Sequence, residues 1–74
     1  MVDKVKEIFA ELFSIESEDF NEDLDMNSVI GWDSMNHLNL IISLEQSFKV
    51  SFTTDEVIQM ISVRNIIEIL KKKN

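Results

Sequence analysis

The sequence predicts an all-α domain: a four-helix bundle with a long first loop and a short third helix. Three observations carry that prediction. Apolar residues recur at helical spacing in four separate stretches. The chain holds no proline and a single glycine. The one β-prone run, KVSFTT at 49–54, is short and has no second run to pair with. At 74 residues the chain is long enough for one domain, residues 1–74, with a thin core.

The first helix is expected over 2–14, where Val5, Ile8, Phe9 and Leu12 fall at i, i+3, i+4 and i+7 while Lys4, Lys6, Glu7 and Glu11 take other faces. The stretch from Ser14 to Asp33 has no sustained period and reads as a loop, pegged to the core by Leu24, Met26, Val29 and Ile30. A second helix is expected over 34–48, with Met35, Leu38, Ile41, Ile42, Leu44 and Phe48 apolar and Leu40 widening the stripe. A helix so apolar all round is either central or keeps an exposed apolar face for a partner. Thr53-Thr54-Asp55-Glu56 has the form of a capping box opening a third helix over 54–60. Ser62 caps a fourth over 63–72, with Val63, Ile66, Ile67 and Leu70 inward. Lys71, Lys72 and Lys73 complement the dipole of its last turn.

Composition excludes several functions. The net charge is −7, the wrong sign for nucleic acid. Residues 1–33 hold ten acids and two lysines, and residues 15–33 carry seven of those acids and no base. Such a surface favours basic protein partners reached by electrostatic steering. Without cysteine the chain has no disulfide, thiolate metal site or thiol nucleophile of its own. No apolar run approaches the roughly 20 residues of a membrane span, and MVDKVKEIF is amphipathic from its start rather than a signal sequence. The expected compartment is the cytoplasm.

Two chemical motifs fail on inspection. Asp23, Asp25 and Asn27 match the first three ligand positions of a calcium loop, but Ser28 stands where glycine is needed and Ser34 where a bidentate Glu is needed. No metal ligands are assigned. Asp33, Ser34 and His37 have the residue types of a hydrolytic triad, yet no glycine-rich elbow or oxyanion hole accompanies them. No catalytic residue is assigned, and an enzyme is the weakest reading. On composition and spacing alone, Asp33 and Ser34 are helix-capping residues.

Residues 33–48, DSMNHLNLIISLEQSF, add a further signal. They resemble the modification site of acyl carrier proteins, which has Asp-Ser-Leu or Asp-Ser-Met, then a helix with apolar residues at fixed offsets, then Leu-Glu and a Phe. Asp33, Ser34 and Met35 match the signature, Leu38, Leu40 and Ile41 match buried helix positions, and Leu44, Glu45 and Phe48 match the end. The resemblance extends over nearly the whole chain in helix order, loop lengths and acidity.

It implies an acyl-carrier-like bundle in which Ser34 accepts 4′-phosphopantetheine from coenzyme A, transferred by a magnesium-dependent phosphopantetheinyl transferase. The reactive sulfur absent from the sequence would then be imported, and acyl groups would ride on it as thioesters. A serine at a helix N-terminus suits a phosphate there. Asp33 would help hold the transferase's metal. The domain would catalyse nothing itself and would act as a monomer. It would present cargo to an acyl-loading enzyme and to downstream synthases and transferases of fatty acid or polyketide biosynthesis. Met35, His37, Ile42 and Glu45 on the second helix are the expected partner contacts, with Ile42 equally placed to be core. A discrete aminoacyl, peptidyl or D-alanyl carrier is the alternative, and an unmodified helical interaction module a further one. One departure stands out: Asn36, His37 and Asn39 occupy positions where fatty-acid carriers commonly hold acids, and Trp32 precedes Asp33. This pattern points to a discrete carrier of a specialised pathway.

Overall fold

A computed structural model of the chain describes residues 1–73. Four helices follow in order: α1 (Val2–Phe13), α2 (Ser34–Phe48), α3 (Thr54–Gln59) and α4 (Val63–Lys73). The first connection contains a short 3₁₀ turn, Ser17–Asp19. No β-strand forms among the described residues, and 49–53 is irregular. No helix is long and apolar enough to cross a membrane.

The helices bury the faces their spacing predicts, with one rotation. α1 turns Val5, Ile8 and Phe9 inward, but its last buried residue is Phe13 rather than Leu12, which is half-buried. Phe13 sits one turn after Phe9, 5.4 Å away between ring centroids, and stacks on Trp32 at 5.7 Å. An aromatic cluster of this size outweighs one leucine at the helix end. Leu40, Ile41 and Leu44 of α2 and Val63, Ile66, Ile67, Ile69 and Leu70 of α4 complete the core. α3 buries none of its own residues fully. Met60, at its C-cap, is fully buried in its place.

The first connection is more organised than its lack of period implies. Asp25 bridges to Ser62, with Met26 N–H donating to Ile61 O and Val63 N–H to Leu24 O, both at 2.9 Å. Arg64 adds an ion pair to Asp23 at 3.0 Å. These bonds fasten the loop to the start of α4 and let Val29 and Trp32 reach the core. Ile30 is not a peg: it is 93% exposed. Gly31 follows it at φ 92°, and the reversal at that left-handed residue puts neighbouring side chains on opposite sides.

Caps sit where the side chains predict them. Ser62 Oγ accepts from Asn65 N–H at 3.1 Å. Thr53 and Glu56 make both bonds of a capping box. Glu56 also meets Lys73 at 2.9 Å, so one acid links α3 to the end of α4. The Thr53 N–H, then Lys73, hold the Glu56 carboxyl below the usual carboxylate range. A depressed carboxyl pKa stabilises the fold above the ordinary value of about 4.3, and that stability is lost as pH falls through the depressed value. Glu56→Gln is therefore expected to lower the melting temperature at neutral pH. The gap from wild type should shrink as pH falls below the ordinary carboxylate range. Thermal melts followed by circular dichroism at several pH values check this.

Candidate functional site

The surface around Ser34 is built by the five residues before and after it. Gly31 makes the turn. Trp32 then drops into the core, 3% exposed, edge-on to Phe9 at 5.2 Å. Pinned by the indole, the chain leaves as extended Asp33, whose carboxylate accepts the Asn36 N–H at 2.9 Å and caps α2. Ser34 is the next residue, the first in the helix, and it is exposed.

This geometry separates two roles that the sequence leaves merged. Asp33 is the N-cap. Ser34, one position further on, takes no part in the cap bond. The hydroxyl thus stands in solvent at the positive end of a fifteen-residue helix. The amides of the first turn have no carbonyl of their own helix to pair with. A phosphodiester on Ser34 would sit beside these donors, so the residues present fit a phosphate-linked arm.

The asparagines of α2 brace the same turn. Asn36 Nδ2 donates to Gly31 O at 2.8 Å, and Asn39 Nδ2 donates to Asn36 Oδ1 at 3.2 Å. Residue 36 must give one hydrogen bond and take another. An ionised Asp accepts only and would face the Gly31 carbonyl with a like dipole.

The expected partner contacts divide. Met35 is 76% and Ile42 52% exposed, on the outer face of α2. Leu38, matched to a buried position, is exposed beside them. It shares the solvent face of Met35 and Ile42, three and four residues away, while the inner face is filled by Leu40, Ile41 and Leu44. His37 is not an exposed contact. It is 8% exposed, with Nδ1 accepting from the Trp32 indole at 2.9 Å and Nε2 meeting Val57 O at 2.9 Å. With both nitrogens engaged elsewhere, it is not available as a base for Ser34. Glu45 is half-buried, and its carboxylate accepts the Phe52 N–H at 2.9 Å, so it holds the α2–α3 connection. Glu45 being the only acid of α2, the exposed side chains of that helix, Ser34, Met35, Leu38, Asn39, Ile42, Gln46 and Ser47, bear no charge.

The acidic loop holds its charges by local bonds. Asp25 Oδ1 accepts the amides of Asn27 and Ser28, each at 2.9 Å. Among the described residues no group of three or more acids or histidines is arranged to hold a metal ion. An open groove of about 390 Å³ between α3 and α4 is lined by Ile58, Ile61, Asn65 and Ile69 among others, and Ser34 is not in its wall.

Comparison with known proteins agrees with this geometry. The phosphopantetheine attachment site family matches residues 3–70. An acyl carrier protein of Desulforapulum autotrophicum is 35% identical, over 96% of this chain and 94% of its own. Acyl carrier proteins of Solidesulfovibrio magneticus and Buchnera aphidicola are 27% and 28% identical, over 99% and 97% of this chain and 94% and 90% of theirs. A small helical bundle whose sequence matches a phosphopantetheine attachment domain almost end to end belongs to the acyl carrier protein family.

Proposed function

We propose that Ser34 is the residue of this acyl carrier that bears its 4′-phosphopantetheine. The observation that carries the assignment is the exposed hydroxyl at the first position of α2, released from capping by Asp33. When bound, the group supplies a thiol on a flexible arm, and acyl groups travel on it as thioesters. The chain's part is to hold Ser34 in the open, offer helix-end donors to the phosphate and present a docking face. Asp33 serves twice, as the cap of α2 and as a ligand for the magnesium of the phosphopantetheinyl transferase. The test is intact mass after incubation with coenzyme A and a broad-specificity transferase. The expected gain is one phosphopantetheine.

The partner-facing surface is the uncharged face of α2: Met35, Leu38 and Ile42, with Ser34 at its end. His37 and Glu45 lie outside it, for the reasons of burial and bonding given above. Transferase, loading enzyme and downstream synthases engage this face, and the acids of residues 16–25 steer the approach. Leu38→Ala is expected to raise the KM of a partner enzyme by about tenfold, or about 1.4 kcal/mol, a little over half of the roughly 2.4 kcal/mol that the three lost carbons would contribute if docking buried them fully. It should leave the melting temperature nearly unchanged, because Leu38 is 59% exposed. A steady-state titration of the carrier against transferase checks the first half and a thermal melt the second.

An α2 face without charge also supports a discrete carrier of a specialised pathway, because enzymes that read acids on this helix find none on its exposed face, its one acid, Glu45, being half-buried and bonded to Phe52. Slow loading and elongation by fatty-acid synthase enzymes is the expected result, and efficient turnover would overturn it. We assign the carrier to the cytoplasm, the compartment typical of the family.

A further inference from the structure

His37 joins the turn before α2, α2 itself and α3. The indole N–H of Trp32 can only donate, so His37 Nδ1 must accept and carries no proton. The Val57 carbonyl can only accept, so Nε2 must donate. The two bonds fix the imidazole as the neutral Nε2–H tautomer. A second proton, on Nδ1, would face the indole N–H and break that link.

The bond to Val57 matters because of how α3 is held. α3 has only six residues and buries none of them fully. Its backbone packs chiefly against α4, and polar contacts fasten both its ends there. Lys73 meets Glu56 at 2.9 Å, and Asn65 Nδ2 donates to Gln59 O at 2.9 Å. Toward α2 the picture differs. Glu45 holds Phe52, before the helix starts. Among the described residues, His37 to Val57 is the one hydrogen bond joining α2 to α3 themselves.

We propose that His37 is a positioning residue, the latch that holds α3 against the Ser34 end of α2. Release of its bond to Val57 frees α3 on the α2 side while α4 retains it on the other. α3 then swings on α4, and the α2–α3 seam opens onto the apolar interior that Val57 and Met60 cover. The core is thus entered by a local opening at one place. This holds whether or not Ser34 is the modified residue, so its failure and the failure of that assignment are distinguishable.

The test uses ¹⁵N-labelled protein and amide hydrogen exchange. The chain has one tryptophan, so one indole N–H resonance reports the latch. Wild type is expected to show a protonated Nε2, an unprotonated Nδ1 and a slowly exchanging indole N–H. His37→Phe keeps an aromatic ring and loses both bonds. Exchange at the Val57 and Met60 amides should then rise about tenfold more than at the Ile66 amide of α4, the ratio set by the loss of one buried hydrogen bond. His37→Gln, whose amide can accept from Trp32 and donate to Val57, should restore most of the protection. Equal acceleration of α3 and α4 amides in His37→Phe, or a proton on Nδ1 in wild type, would overturn the latch. If His37→Phe does not fold, wild type decides. α3 amides that exchange through an opening smaller than global unfolding support the proposal, and amides that exchange only with α4 overturn it.

Discussion

Ser34→Ala is expected to gain no mass under conditions in which wild type gains one phosphopantetheine, while its melting temperature stays within about 2 °C of wild type. The modification is lost completely because no neighbouring group replaces the hydroxyl at the start of α2. The fold is spared because Ser34 is exposed and the α2 cap bond comes from Asp33. Alanine is also intrinsically a strong helix former. Asp33→Ala is the counterpart. It removes the oxygen that takes the Asn36 N–H at 2.9 Å and should cost about 1 kcal/mol of stability. The pair distinguishes attachment from capping. If Ser34 served the helix alone, Ser34→Ala would melt early and wild type would gain nothing. Mass gained by Ser34→Ala would put the attachment on another serine. Intact mass and a thermal melt of the two variants beside wild type read out all of these results.

Much of the fold was legible because its signals are local. A capping box is a four-residue pattern, and Thr53 and Glu56 satisfy it in full. The apolar period of α4 needs only its own spacing, and Val63, Ile66, Ile67 and Leu70 are buried accordingly. Ser34 stands out only through the resemblance of Asp33, Ser34 and Met35 to the carrier signature, because spacing alone reads it as a cap. What was not legible depends on residues distant in the chain. His37 reads as a polar surface residue until Val57, twenty positions on, supplies an acceptor for Nε2. Glu45 looks like a helix-face acid until the Phe52 amide turns toward it. Leu38 and Ile41 carry the same hydrophobic signal, and only the packing of α1 and α4 decides which of them faces inward. Ile30 and Val29 are adjacent β-branched residues, and only the path of the fastened loop decides that one faces solvent and the other the core. In a helix as apolar as α2, periodicity finds the element and leaves its rotation open.

Trp32→Ala is expected to have the largest effect on stability of any single substitution. Trp32 is 3% exposed and touches three aromatic partners: edge-on to Phe9 at 5.2 Å, stacked on Phe13 at 5.7 Å and stacked on His37 at 6.0 Å. Truncating a buried tryptophan costs about 3–5 kcal/mol through lost burial and the cavity left behind. A domain this short has little stability to spare, so the variant should be largely unfolded at 37 °C. Trp32→Phe separates packing from polarity. Phenylalanine keeps a ring against Phe9 and Phe13 but has no N–H, which leaves Nδ1 of His37 buried without its donor. That loss should cost about 1–3 kcal/mol, so Trp32→Phe should fold and melt between wild type and the alanine variant. Since the chain's one tryptophan is the residue removed, urea unfolding must be followed by far-ultraviolet circular dichroism rather than fluorescence. A Trp32→Ala variant as stable as wild type would mean that the turn before Ser34 is held by Asp33 and Asn36 alone. The indole would then be filling space rather than anchoring the turn. A Trp32→Phe variant as stable as wild type would instead show that a water replaces the indole N–H at His37. The intermediate result is expected, because the ring supplies most of the buried area and the N–H fixes the tautomer of the histidine beneath it.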